Sequence, residues 1–199
     1  MTTLTFQVGL PEDQRKAAAA LLDAAFARKF APIVPDRTRR VALLAECLSP
    51  EHALVALSGD RLVGLVGFHA PGGSFVGGDF QTVVRHLGVW GAARTVLLLS
   101  LFVRKPRRGE LLLDGFAVDV SERGRGIGTG LLENLIHFAR TEGYRQIRLD
   151  VVDTNPGARR LYDRFGFIPV QTSSAPYLER WFGFRSSTTM VKRLDLEDG

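Results

Sequence analysis

The stretch Val118-Asp119-Val120-Ser121-Glu122-Arg123-Gly124-Arg125-Gly126-Ile127-Gly128-Thr129-Gly130-Leu131 reads as a strand passing through a glycine-rich turn into an amphipathic helix. Ile127, Leu131, Leu135 and Ala139 mark the buried face of that helix. Glycine removes the Cβ where a ligand must approach the backbone, and the first N–H groups of a helix have no carbonyl partner of their own. An anion held there gains about 0.3–1 kcal/mol from the helix dipole, and charge-assisted bonds from Arg123 or Arg125 would add to it. The residue types of Arg123, Gly124, Arg125, Gly126, Ile127, Gly128 and Thr129 therefore suit a diphosphate, although a tight strand-to-helix connection would use the same glycines. A dinucleotide fingerprint is excluded by spacing. Its sixth place must be glycine, and it falls on Thr129 counting from Gly124 or on Leu131 counting from Gly126.

A second segment, Asp150-Val151-Val152-Asp153-Thr154-Asn155-Pro156-Gly157-Ala158-Arg159-Arg160-Leu161-Tyr162-Asp163-Arg164-Phe165-Gly166-Phe167, carries its own signals. Asn155 is a good cap, Pro156 suits a first helical position, and Gly166 is placed to end the helix. Ala158, Leu161, Tyr162 and Phe165 fall on one helical face, so Tyr162 reads equally as a member of an apolar stripe. Tyrosine, however, brings a hydroxyl that needs a partner when buried. Upstream, Ile147, Leu149 and Val151 alternate with Gln146, Arg148 and Asp150, which turns Asp150 away from the apolar face of its strand.

These segments need a scaffold, and the rest of the chain predicts one. Leu4, Phe6 and Val8 alternate as a strand; Pro11-Glu12-Asp13 opens an alanine-rich helix toward Phe30; prolines 32 and 35 break it before a second helix from about Thr38 to Leu48. Ala53–Leu57 and Leu62–Phe68, joined by Ser58-Gly59-Asp60-Arg61, read as a hairpin. After the glycines of 71–78, Asp79 is a candidate cap for an inserted helix with Val83, Leu87, Trp90, Leu97, Leu98 and Leu101 at helical spacing. Strand and helix then alternate: Leu111–Val120, Ile127–Glu142, Gln146–Val152, Pro156–Phe165, with strand-like pieces at Phe167–Val170 and Thr188–Leu194. The expected fold is mixed α/β in a single domain over 1–199, with a helical insertion at 71–109 and a core at 111–170.

Composition agrees with one soluble domain: 199 residues, 45% hydrophobic and 24% charged. The longest apolar run, Val96–Val103, is far short of the roughly 20 residues a transmembrane helix needs. Neither a secretory signal nor a disulfide partner for the single Cys47 is present, so a cytoplasmic location is expected. A net charge of +5 favours an anionic ligand. The cluster Arg104, Lys105, Arg107, Arg108 has no nucleic-acid module beside it, and no nucleic-acid partner is expected.

Together, Arg123-x-x-Gly126-x-Gly128 and Asn155-x-x-Ala158-x-x-Leu161-Tyr162-x-x-x-Gly166-Phe167 resemble the two signatures of the GNAT superfamily of N-acetyltransferases. The resemblance implies a strongly twisted mixed sheet of about seven strands whose fourth and fifth strands splay apart. It implies acetyl-CoA as co-substrate, its diphosphate on the glycine turn and its pantetheine along the backbone of Phe116, Ala117 and Val118. It further implies that Asn155 touches the cofactor arm and that Tyr162 sits by the thioester sulfur; no metal is involved. The chemistry asks for two proton movements. A Lys-like amine with pKa about 10.4 must lose a proton before attack, and a leaving thiolate, whose thiol has a pKa of about 8.5, benefits from a nearby donor. Tyr162 is the expected general acid. Asp150 is the expected base and resembles, with Asp for Glu, the base of the superfamily's ribosomal-protein alanine N-acetyltransferases; an ion pair with Arg148 or Arg159 is its structural alternative. Asp114 and then His69 follow it as candidates.

In the superfamily the loop between the first two helices and the last strands select the acceptor, which points here to Phe26, Phe30, Arg37, Tyr177, Trp181, Phe182 and Phe184. The acceptor is expected to be a small-molecule or peptide amine. The insertion departs from the usual hairpin; closing over the acceptor, a homodimer contact and a membrane-surface contact are its expected roles, in that order. A non-catalytic acyl-CoA sensor with the same fold is the alternative to an enzyme.

Overall fold

Apolar alternation and turn chemistry build the first half as an antiparallel meander with two helices laid on it. In the computed structural model, which describes residues 3–78, 80–100, 105–174, 176 and 179–194, β1 (Leu4–Val8) leads through a short 3₁₀ turn into α1 (Arg15–Phe30). There follow α2 (Arg37–Cys47), β2 (Ala53–Ser58), β3 (Arg61–Ala70), the two-residue β4 (Gly73–Ser74) and α3 (Phe80–Ser100). The second half contains β5 (Glu110–Val118), α4 (Ile127–Thr141), β6 (Gln146–Val152), α5 (Pro156–Arg164), β7 (Ile168–Ser174), α6 (Glu179–Phe182) and β8 (Ser186–Arg193). The strands form one sheet in the order β1-β2-β3-β5-β6-β8-β7, with β4 folded back on β3. Every pairing is antiparallel except that of β5 with β6.

Each face of the sheet has its own core. Under α4 and α5, Leu54, Val66, Phe68, Leu111, Leu113, Ile147 and Leu149 meet Leu131, Leu132, Leu135 and Tyr162. On the opposite face Val55, Leu65 and Ala117 meet Leu10, Ala18, Ala19 and Leu22 of the α1 region and Leu44 and Leu48 of the α2 region. Glycines bring the layers close. A β-carbon at Gly64 would stand 3.0 Å from both Ile127 and Leu131, so the bare backbone of β3 lets α4 settle onto the sheet.

A buried ion pair fixes the α1–α2 layer. Asp23 lies against the Arg40 guanidinium, which also donates to the Val34 carbonyl at 2.6 Å and the Pro35 carbonyl at 3.0 Å, while Arg37 reaches Asp23 at 3.3 Å. Asp36 caps α2 by accepting from the Arg39 amide at 2.7 Å.

The sequence expectations hold for nearly every element, with four differences. The sheet has eight strands because Gly73–Ser74 turns back on His69–Ala70, so the helical insertion follows that small hairpin. The inserted helix is broken at Gly88, whose φ of 70° and ψ of 170° leave the helical region. Its first segment docks Val83 and Leu87 on Ile33, Val34 and Leu43, with Arg85 and His86 on Glu46 at 3.1 and 2.9 Å. Beyond the break Trp90, expected on the apolar face, is 90% exposed. Finally, the strand expected at Phe167–Val170 starts one residue later and runs on to Ser174. The proposed cap Asp79, together with Leu101 and Arg104, lies outside the described residues, as do the side chains of Leu97 and Leu98.

Candidate active site

The parallel pair β5–β6 is joined only at its beginning. Glu110, Leu111 and Leu112 pair with Gln146, Ile147 and Arg148, and beyond that the two strands part, leaving a gap between 113–118 and 149–152. The opening has a cause on the β5 side: Asp114 and Gly115 bulge opposite Gly67, with Gly115 at φ 130°. A β-carbon at Gly67 would stand 2.3 Å from the Phe75 ring, so the bulge is packed from behind.

The bulge decides which amides line the gap. The Asp119 amide donates to the Val63 carbonyl at 2.9 Å, in register with the pairs Val118–Gly64, Ala117–Leu65 and Phe116–Val66. Antiparallel alternation then turns the Ala117 amide toward β3 and the amides of Phe116 and Val118 into the gap. Of the three backbone positions expected to bind, two face the opening.

At the wide end stands the head of α4. Gly124 and Gly126 adopt φ 81° and 79°, and a β-carbon at either would meet nothing within 4 Å. Gly126 is the N-cap, no side chain caps it, and the first intrahelical bond runs from the Gly130 amide to the Gly126 carbonyl at 2.9 Å. The amides of Ile127, Gly128 and Thr129 precede that bond and are available to a ligand. A β-carbon at Gly128 would touch Leu161 and Phe116 at 3.6 Å, so this part of the helix lies close to α5 and to the gap wall.

Charge around the turn is organised by a residue the sequence reading missed. Glu122 is 8% exposed and pairs with both Arg61 and Arg125, which ties the turn to the β2–β3 hairpin and gives Arg125 a carboxylate partner while its side chain stays 62% exposed. Asp119 accepts from the Ser121 amide at 2.9 Å and its hydroxyl at 2.8 Å; these bonds hold its carboxyl below the ordinary range, helped by the charges of Arg61 and Arg123. Arg123 is exposed and has no ion pair among the described residues. Its guanidinium is open to an anion.

On the far side of the gap α5 starts at Asn155, whose Oδ1 accepts from the Ala158 amide at 3.1 Å. The cap expected from the sequence is present, and it uses the oxygen, leaving the amide nitrogen for other contacts. Tyr162 is 4% exposed, packed edge-on to Phe116 with ring centroids 6.2 Å apart and against Phe167 at 5.7 Å. Its hydroxyl has no hydrogen-bond partner among the described residues, and burial pushes the phenol above its usual value near 10.

The carboxylates lie on the opposite face. Asp150 is exposed, with its neighbours Leu149 and Val151 in the core under α4; Thr189 of β8 donates to it. Of the two arginines of its structural alternative, Arg148 pairs with the buried Glu110 at 3.1 Å and donates to the Lys105 carbonyl at 2.8 Å, and Arg159 pairs with Asp163 at 3.1 Å. Asp114 is also exposed. It follows Leu113, and Asp150 lies between Leu149 and Val151, all three in the core under α4, so both carboxyls belong to the other face of the sheet, Asp114 from within the bulge. His69 pairs with Leu112, at the closed end, and is a poorer candidate.

The expected acceptor residues divide. Phe26 and Phe30 meet edge-on at 6.3 Å and pack into the α1–α2 core, and Arg37 is bound to Asp23. Phe184 is half-buried; Tyr177 and the side chains of Trp181 and Phe182 lie outside the described residues.

A sheet parted at its one parallel pair, with a glycine-headed helix at the opening, is the arrangement expected of an acetyltransferase. The acetyltransferase (GNAT) family model matches residues 16–167, and the chain belongs to that family. An N-acetyltransferase structure from Staphylococcus aureus Mu50 superposes with a TM-score of 0.68 at 15% identity, covering 94% of this chain and all of that one. Spermine/spermidine N(1)-acetyltransferase of Bacillus subtilis (strain 168) is 39% identical over 62 residues, 31% of this chain. Mycothiol acetyltransferase of Beutenbergia cavernae is 36% identical over 76 residues, 37% of this chain. These matches span 41% and 25% of the two relatives' lengths. Among the described residues no helix is long and apolar enough to cross a membrane.

Proposed function

We propose that this chain is an N-acetyltransferase that moves an acetyl group from acetyl-CoA to the primary amine of a small-molecule or peptide acceptor, by direct attack in a ternary complex. The observation that carries the reading is the alignment of two sets of amides without a partner among the described residues, Phe116 and Val118 in the gap and Ile127, Gly128 and Thr129 at the head of α4. The residues fit coenzyme A: the open space at Gly124 and Gly126 admits a diphosphate, Arg123 adds charge, and the Asn155 amide nitrogen can meet the arm. Acetyl-CoA supplies an activated thioester carbonyl.

The chain's own groups handle the protons. Asp150, directly or through one water, takes a proton from the acceptor ammonium, with Asp114 across the mouth as the second carboxylate. A gap amide on β5 offers a donor to the oxyanion, and the Tyr162 hydroxyl donates its proton to the departing sulfur. Cys47 ends α2 beside the Ile33–Leu43 cluster, away from the gap, which supports direct transfer over a covalent acetyl-enzyme. A cytoplasmic location suits a chain with one cysteine and no disulfide.

The test is release of CoA thiol across a panel of amines. Asp150→Asn should lower kcat about tenfold, with rate partly recovered at higher pH as more amine arrives deprotonated. Binding of acetyl-CoA with no thiol release from any amine would favour the non-catalytic sensor. Arg123→Ala should weaken acetyl-CoA binding about tenfold, the loss of one charge-assisted phosphate contact, with kcat unchanged once saturated. Calorimetry reads the first and saturation kinetics the second.

A further inference from the structure

A cavity of about 470 Å³ opens between the end of α1 and α6, lined by Arg28, Ala31, Pro32, Glu179, Arg180 and Gly183. It is an open, largely polar depression, with room for one end of a small molecule and not an enclosed chamber. The cavity lies against α1, on the face of the sheet where the proposed reading puts the acceptor. α1 crosses the bulge of β5, where a β-carbon on Gly115 would touch Leu22 at 3.7 Å, and it continues to α6. From α6 the chain enters β8, and Arg185 bridges the two sites: its Nε meets Glu179 at 2.7 Å and its amide donates to Asp153 at 3.3 Å, just past the end of β6. Asp150 is three residues earlier on the same run, about 10 Å at strand rise.

The lining is electropositive. Glu179 is neutralised by Arg185, whereas Arg28 and Arg180 have no carboxylate partner among the described residues. Gly183 is shaped to seat one of them. At φ 73° it suits glycine, and a β-carbon there would stand 2.7 Å from Arg28 Nη1 and 2.9 Å from its Cδ, so the arginine lies across bare backbone at the cavity wall.

Building on the amine-acceptor reading, we infer that the acceptor carries a carboxylate or phosphate several bonds from its amine, held by Arg28 and Arg180 while the amine meets Asp150 and Asp114. Guanidinium groups without a carboxylate partner among the described residues favour an anion and repel a second ammonium, so a polyamine is disfavoured in this cavity.

Matched ligands test this. Thiol release is measured with ε-aminocaproate, its amide, cadaverine and spermidine, and binding of N-acetyl-ε-aminocaproate and its amide is measured by calorimetry on the CoA-saturated protein; a phosphonate analogue of the acid distinguishes carboxylate from phosphate as the preferred anion. The acid should bind at least tenfold more tightly than the amide, and the double variant Arg28→Gln/Arg180→Gln should bring that ratio close to one. Gly183→Ala should reduce it as well, by displacing Arg28. Equal binding of acid and amide, preference for spermidine, or a ratio indifferent to the arginines overturns the anion site. Tighter, arginine-dependent binding of the acid without thiol release from any amine upholds the anion site and defeats the transferase reading instead.

Discussion

Tyr162→Phe should reduce acetyl-transfer turnover about a hundredfold while leaving acetyl-CoA affinity within about threefold of the parent, the size of effect expected when one positioned proton donor is lost. The ring stays, so its contacts with Phe116 and Phe167 stay, and only the hydroxyl, which lacks a partner among the described residues, is removed. Stopped-flow thiol release with saturating acceptor reads the rate, and calorimetry the affinity. An unchanged rate would take Tyr162 out of the mechanism and leave it a member of the α5 stripe. The pH dependence adds a check. Because burial raises its pKa above 10, Tyr162 remains protonated through neutral and mildly alkaline pH, and the activity should show no alkaline limb from it below about pH 10. The same shift bears on stability. The contribution of a neutral buried phenol is complete below the unfolded value near 10 and is lost as the pH climbs from there toward the folded value, because only the unfolded chain ionises readily.

Arg40→Ala should destabilise the fold by about 3–5 kcal/mol, the range for stripping one partner from a buried pair. Asp23, 1% exposed, would keep only the solvent-exposed Arg37 at 3.3 Å in place of its buried partner, and the carbonyls of Val34 and Pro35 would lose their donor. For a chain of this size that amounts to a fall in Tm of roughly 6–20 °C, measurable by calorimetry or circular dichroism. Replacing both partners, Asp23→Leu with Arg40→Met, should recover part of the loss, since the under-compensated buried charge disappears while the two carbonyls remain without a donor. A change below about 1 kcal/mol for Arg40→Ala would mean that the pair is open to water in solution.

What the sequence announced locally, the structure contains. The left-handed glycines of the turn, the Asn155–Pro156 helix start and the outward face of Asp150 each follow from residue type and spacing within a few positions. Long-range features did not announce themselves. Asp23 and Arg40 are 17 residues apart and each reads alone as a polar helix position. Glu122 reads as an acidic residue in an arginine-rich turn, and only the hairpin arginine from 61 positions away explains its burial. Gly115 inside a strand was a signal for the bulge that opens the gap, yet the partner Gly67 and the Phe75 ring behind it are contacts no periodicity shows. In α3 the helical spacing of apolar residues runs straight through Gly88, so the break there, and with it the exposure of Trp90, was hidden by the pattern itself.

The direct test of the central claim is to add coenzyme A to the isotopically labelled protein and follow backbone amide resonances. Diphosphate seated on α4 and pantetheine in the gap should move the amides of Ile127, Gly128 and Thr129 together with those of Phe116 and Val118, leaving Ala117, bonded into β3, much less affected. Saturable binding that leaves those five amides in place, or no binding at all, would contradict the account.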